Sequence, residues 1–238
     1  MAMPAQAAEV EASASVLSSY VWRGIEVNED AVLQPAVDIS GLNIGPVPVG
    51  INFWHNLDLG DNEGALETGE FSEVDLAITL GVPGVDGLSL GLIEYWFPNT
   101  GNEAGGARTA REVFVGYSMD DVILAPSVTA YFDVTDVDNN PDYYVSLAVS
   151  HGLGEVAGFA VELAASLGYA GDDFAVAYGG TDGGLFDVNV TASASKQLTD
   201  NVSVSGVITY VTSGDDDALT DAMNDTDVLG GVSAAVTF

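Results

Sequence analysis

Residues 226–238 read TDVLGGVSAAVTF. Counting back from Phe238, alternate positions are Val236, Ala234, Val232, Gly230 and Val228, with Thr237, Ala235, Ser233, Gly231 and Leu229 between them. An apolar or small residue at every second position is the period of a β-strand with two unlike faces. The pattern stops on an aromatic ring, whereas soluble domains tend to trail into frayed polar termini. A terminal strand that ends on Phe is expected to be anchored at that residue.

The same alternation recurs upstream. In LFDVNVTASAS (185–195), Phe186, Val188, Val190, Ala192 and Ala194 oppose Asp187, Asn189, Thr191, Ser193 and Ser195. In EFSEVDLAITL (70–80), Val74, Leu76, Ile78 and Leu80 oppose Glu73, Asp75, Ala77 and Thr79. Helical periodicity is nearly absent. Runs bounded by Gly, Pro, Asn and Asp predict strands over 8–23, 31–41, 46–58, 70–81, 88–97, 109–118, 122–133, 142–151, 159–169, 185–196, 202–213 and 227–238. That is about twelve strands, an even number, as in bacterial outer-membrane barrels.

The connections between these strands alternate in kind. Short turns fall around 42–45, 82–87, 119–121, 152–158 and 197–201. The intervening connections are mostly longer and acidic, such as LGDNEGALETGE (59–70), AGDDFAVAYGGTDGG and GDDDALTDAMND. Short turns at one rim and long loops at the other mark an outer-membrane barrel. A soluble sandwich would instead carry many Lys and Glu on its outer faces, where this chain carries Ser, Thr, Ala and Gly.

Composition agrees. The 238 residues include 36 acidic and 4 basic side chains, for a formal net charge of -32, yet 47% are hydrophobic. Such a chain must separate its two characters in space. With so few cations it is not built to neutralise phosphates, which excludes nucleic-acid binding. It has no cysteine, so neither disulfides nor thiolate metal sites arise. No apolar run approaches the roughly 18 residues of a membrane-spanning helix. The start, MAMPAQAAEVE, carries a small-x-small pattern like a signal-peptidase site, so residues 1–7 are expected to be a residual signal or linker segment and 8–238 the barrel.

Aromatic residues sharpen the expectation. With a periplasmic N-terminus, Tyr20, Trp22, Phe53, Trp54, Tyr95, Trp96, Tyr131, Tyr143 and Tyr210 all fall at the outer ends of strands, the level of an interfacial belt. Phe238 falls at the opposite rim, where the closing strand must pair with the first to remove both edges. Val236 and Phe238 resemble the C-terminal signal of outer-membrane proteins, which implies reading by the barrel-assembly machinery.

A second likeness lies in the first quarter. SSYVWRGI, LQPAVDIS and GINFWHNLDL resemble the pattern Y-x-x-R-G, Q-x-x-x-D, G-x-x-x-W-x-N that opens the Gcw_chp family of uncharacterised proteobacterial outer-membrane proteins. The matching positions are Tyr20, Arg23, Gly24, Gln34, Asp38, Gly50, Trp54 and Asn56. The resemblance implies an outer-membrane barrel and no named activity.

Candidate chemistry is sparse. A barrel lipase needs Ser, His and an acid within reach of one another. The two histidines, His55 and His151, are expected near opposite ends of their strands, with His55 on the lipid face, so the chain is read as a non-enzyme. Arg23 is expected in the lumen with Asp38, Asn52, Glu73, Asp75, Glu94, Glu112 and Asp187. That set is net negative and favours cations. In DVDNNPD (136–142), Asp136, Asp138, Asn140 and Asp142 alternate as oxygen ligands do in calcium loops. A solvated acidic surface is the preferred explanation, so the cofactor expectation is none, with weak Ca²⁺ or Mg²⁺ binding in the loops as the alternative.

The sequence thus predicts an all-β, transmembrane, antiparallel up-and-down barrel of about twelve strands in a bacterial outer membrane, termini periplasmic. It is read as a passive, cation-preferring, porin-like channel. The alternative is a structural or surface-interaction barrel with a plugged lumen. Expected partners are outer-membrane lipid and lipopolysaccharide, the assembly machinery, small solutes or cations, and further copies of the chain.

Overall fold

The computed structural model describes residues 8–60, 68–99, 108–135, 142–220, 223 and 227–238. Fourteen strands and one short helix follow one another: β1 (Glu9–Leu17), β2 (Tyr20–Trp22), β3 (Ile25–Asn28), β4 (Val32–Ile44), β5 (Val47–Asp58), β6 (Phe71–Gly81), β7 (Leu88–Phe97), β8 (Arg108–Ser118), β9 (Ser127–Asp133), β10 (Tyr143–Val156), β11 (Phe159–Ala170), α1 (Asp172–Ala177), β12 (Gly184–Thr199), β13 (Val202–Ser213) and β14 (Val228–Thr237). Twelve of the strands close an antiparallel, up-and-down barrel in sequence order, while β2 and β3 form a separate hairpin.

Closure joins the two ends of the chain. β14 pairs with β1 from Thr237↔Glu11 to Gly231↔Leu17, and the Phe238 N–H donates to the Val10 carbonyl at 2.9 Å. Every wall strand therefore has two neighbours, which satisfies the backbone groups that a hydrocarbon surrounding would leave without partners.

The exterior explains the alternation. Leu147, Ile208, Val228 and Val232 are 51–64% exposed, and Leu90, Leu163, Leu167 and Val190 stand out beside them. An apolar surface continuous around the wall is far larger than a monomer in water carries, and it is the face a barrel turns to lipid. Phe53, Phe71, Trp96, Tyr143, Tyr169 and Tyr210 stand on this exterior near the long-loop rim, as a girdle. Tyr117 and Phe238 are exposed toward the short-turn rim.

Three strand expectations need correction. Residues 8–23 are not one strand. The wall ends at Leu17, where Ser18 N–H bonds the Gly230 carbonyl at 2.9 Å and Ser18 Oγ accepts from Gly230 N–H at 3.0 Å, and the chain then folds inward as the β2–β3 hairpin. Period-2 alternation continues through Tyr20–Arg23, so periodicity cannot see the break. β9 starts at Ser127 rather than 122, because Val122–Pro126 forms a turn with Leu124 and Ala125 at φ 69 and 35. In β12, a register shift opposite Gly168 and Tyr169 turns Phe186 inward with Asp187. Phe186 was expected to share a face with Val188.

Candidate functional site

The interior is built by the hairpin. Arg23 and Gly24 are its two turn residues, at φ 49 and 77, the doubly left-handed arrangement of a type I′ turn. Glycine takes this conformation freely, and arginine does so at a cost. Gly24 has a second reason to be glycine, since a Cβ there would lie 2.6 Å from the Asp187 Cβ.

The turn carries Arg23 into a cage. Nη1 and Nη2 donate to the two Glu112 oxygens at 2.7 and 2.6 Å, with both side chains buried. The guanidinium carbon lies 4.4 Å from the Trp22 and Tyr131 ring centres and 4.5 Å from that of Tyr144. Bidentate pairing and stacking together suit a planar guanidinium and not a lysine. Burial on its own would lower the Arg23 pKa, but the Glu112 hydrogen bond and charge raise it above its ordinary value.

Tyrosine hydroxyls meet the remaining carboxylates. Tyr95 donates to Glu112 at 2.8 Å, Tyr20 to Glu73 at 2.9 Å and Tyr144 to Asp187 at 2.7 Å. Asn189 gives Asp187 a second donor at 2.6 Å. Burial, followed by the Glu73 charge and hydrogen bond, pushes the Tyr20 phenol well above its usual range. Burial likewise pushes Tyr178 up to about 12. Nearby, Gln34 donates to Asn56, and Asn56 to Asp58 and Ser72, at 2.7–3.0 Å.

An apolar plug packs against this cage. α1 folds inward and buries Phe174 and Ala175 with Ile25, Tyr144, Ala170, Phe186, Ala218 and Leu219. The long connection holding Phe174 and Tyr178 thus enters the mouth, as the plugged-lumen alternative requires. A mouth-side cavity of ≈ 150 Å³ and a deeper one of ≈ 370 Å³ share Trp22 and Tyr95 as walls. Glu112 faces the first cavity and Arg23 the second, so the ion pair stands at their divide.

The expected site residues divide accordingly. Arg23, Glu73, Asp75, Glu112 and Asp187 come together in the long-loop half. Asp38 and Asn52 pair lower down, Asn52 donating at 2.7 Å. Glu94 does not belong to the lumen. It shares the outward phase of Leu90 and Trp96 and pairs with Arg111, its partner across the β7–β8 ladder. Tyr95 takes the inward place because its hydroxyl reaches Glu112.

The aromatic belt needs a similar correction. Tyr20, Trp22, Trp54, Tyr95 and Tyr131 lie at the expected level but point inward. Trp54 and Tyr20 face each other at 5.5 Å between ring centres, as do Trp22 and Tyr95 at 6.3 Å. Phe53, Trp96, Tyr143 and Tyr210 keep the outward role. Sequence reading missed the hairpin. The signal for the hairpin was Arg-Gly between two short apolar runs.

His55 packs on the exterior, its ring 5.8 Å from Phe71, and His151 is exposed on the outward phase of β10 near the short turns. Of the proposed metal loop, Asp136, Asp138 and Asn140 lie outside the described residues, as do Asp221, Asn224 and Asp225 of the second acidic run and residues 1–7. Asp142 is described; its carboxyl is raised by burial and by the charges of Asp133 and Asp173. Among the described residues, no three His, Asp or Glu side chains converge as metal ligands would.

Known structures share the fold. An outer membrane channel from Pseudomonas putida F1 aligns over 100% of this chain and 97% of its own, with TM-score 0.53 and 13% identity. The NanC porin aligns over 95% and 98%, with TM-score 0.51 and 9% identity. At such identities the likeness establishes the barrel architecture alone. No protein-family model matches the chain, and no curated protein matches it.

Proposed function

We propose that this chain is a bacterial outer-membrane channel for small solutes, preferring cations, whose conduction is set by the inward hairpin at its long-loop mouth. The observation that carries this reading is the contrast in filling along the lumen. Below the cage the inward residues are small: Ser146, Ala148 and Ser150 on β10, Thr191, Ser193 and Ser195 on β12, Ser203 and Ser205 on β13. A barrel of this strand number is filled only if large side chains or loops enter it, and here they enter at one end.

Charge supports the cation preference. Glu11, Asp38, Glu73, Asp75, Asp187 and Glu162 are on inward positions. Arg23, the one basic side chain described there, is neutralised by Glu112. In this reading the long loops face outward and the termini the periplasm, the exterior meets lipid and lipopolysaccharide, and Val236 and Phe238 present the last strand to the assembly machinery. Of the residues that carry the Gcw_chp resemblance, Tyr20, Arg23 and Gly24 lie in the hairpin, and Gln34 hydrogen-bonds Asn56.

The packed plug favours the second reading, a structural barrel closed at its mouth. Planar-bilayer recordings decide between them. Small conductance steps with a cation-signed reversal potential in a salt gradient support the channel. Silence in both the unmodified protein and a hairpin-deleted variant leaves the structural barrel. Anion preference overturns the assigned selectivity.

A further inference from the structure

We infer that the cavity beneath the hairpin is a binding site for a small organic ammonium ion, held between the Asp75 carboxylate and a wall of aromatic rings. This rests on the channel reading and names its solute class, but binding is measurable without conduction.

The cavity holds ≈ 370 Å³ and is lined by Trp22, Trp54, Tyr95 and Tyr131, with Asn52 and Asp75 among them and the Glu112-paired Arg23 at one edge. Aromatic faces attract cations, most strongly where water is excluded. The cage already displays this chemistry, since the Arg23 guanidinium lies over Trp22 and Tyr131.

Asp75 supplies the second half of the argument. Its Oδ1 is buried and meets no donor. Arg23 does not serve it, its described hydrogen bonds from Nη1 and Nη2 both going to Glu112. Glu73 and Glu112 add negative charge from nearby, and Glu73 has only the neutral Tyr20 hydroxyl as its described donor. Arg23 and Glu112 cancel, which leaves the Glu73–Asp75 pair without a cationic side chain. An uncompensated carboxylate in such a place is costly, and a bound cation would offset it.

The rings select the kind of cation. A compact, strongly hydrated metal ion would lose its shell and gain few oxygens here. A methylated or alkyl ammonium is weakly hydrated, fits the volume and can lie against the Trp54 and Tyr95 rings, Arg23 already lying over Trp22 and Tyr131. A neutral sugar would use the same rings and could hydrogen-bond Asp75, but it would leave the carboxylate charge uncompensated.

The test is a titration of choline into the detergent-solubilised, full-length barrel, followed by calorimetry and tryptophan fluorescence. Trp22 and Trp54 line the cavity, while Trp96 is outside. Saturable choline binding is expected, about tenfold or more tighter than that of its uncharged tert-butyl isostere, the factor expected when a desolvated cation–π attraction is lost. Asp75→Asn should weaken choline binding by a similar factor, and Trp54→Leu should weaken it as well. Arg111→Gln, on the exterior, should leave it unchanged. Equal binding of choline and isostere, tighter binding of glucose than of choline, or unchanged choline binding in Asp75→Asn overturns the inference. The choline-to-isostere ratio is read on the unmodified protein, so it decides the matter even if a variant fails to assemble. A barrel that binds choline yet never conducts overturns the channel and keeps the site; one that conducts and ignores choline does the reverse.

Discussion

The two halves of the barrel interior follow one alternation and reach opposite results. Toward the long loops the inward positions carry Tyr95, Glu112, Tyr131, Tyr144 and Asp187, and the hairpin, α1 and Leu219 fill what remains. Toward the short turns the same strands carry Ser89 and Gly91, Gly116 and Ser118, Ser127 and Thr129, and Ser193 and Ser195. Along their length the strands change in the size and charge of these inward side chains, not in their pairing. A β-wall supports itself through backbone pairing whatever lies inside it, so its interior is free to be a packed core at one end and a wet passage at the other. Mutations in the two halves should therefore differ in kind.

The largest effect is expected from removing the filling as a whole. Replacing Tyr20–Asn28 with a short Gly-Ser turn takes out the hairpin but none of the wall's pairing, because β2 and β3 pair only with each other. Single-channel conductance should rise several-fold while heat-modifiable gel mobility, the mark of an intact barrel, persists. Unchanged conductance would show that the hairpin does not narrow the path.

Next comes the ion pair. Arg23→Met leaves Glu112 buried without its cation, a loss of about 3–5 kcal/mol, read as a lowered unfolding midpoint in detergent. Adding Glu112→Gln should recover part of that loss, because the uncompensated charge goes too. A full-sized defect in the double variant would assign the cost to lost ring packing around Arg23 instead. Smaller again is Gly24→Val. It demands a left-handed conformation of a β-branched residue and drives its Cβ toward Asp187, costing about 1–3 kcal/mol. A wild-type midpoint in Gly24→Val would mean that the turn relaxes away from Asp187.

The contrast between the halves also explains what could be read from the sequence. Strand number, loop alternation and closure were legible because pairing and lipid contact impose a period of two on every wall strand, β14 included. The level of the aromatics was legible for the same reason. Their facing was not. Tyr95 and Trp96 are adjacent, both large and both amphipathic, and only the distant Glu112 decides which turns inward. Glu94 was misplaced by the same ambiguity, since an acid on the exterior is expected only where a cation such as Arg111 waits across the ladder. The hairpin was hidden because its residues continue the alternation of β1, and only the paired left-handed turn at Arg23 and Gly24 sends them out of the wall.

The smallest effects belong to the open half, and they separate charge from packing. Ser193→Ala should change stability by no more than about 0.5 kcal/mol, as surface substitutions do, because the side chain borders open lumen rather than a packed core. Glu162 lies opposite Ser193 on the inward phase of β11 and is exposed. Glu162→Gln should therefore leave the unfolding midpoint alone yet move the reversal potential toward zero in a salt gradient. The shift should fade as salt rises, since the Debye length falls from about 10 Å at 0.1 M to about 3 Å at 1 M. Glu94→Gln, which removes the same charge from the outer face, should leave ion preference as it is. If Glu94→Gln alters selectivity as much as Glu162→Gln does, the preference arises from the field of the whole acidic molecule and not from the lumen wall.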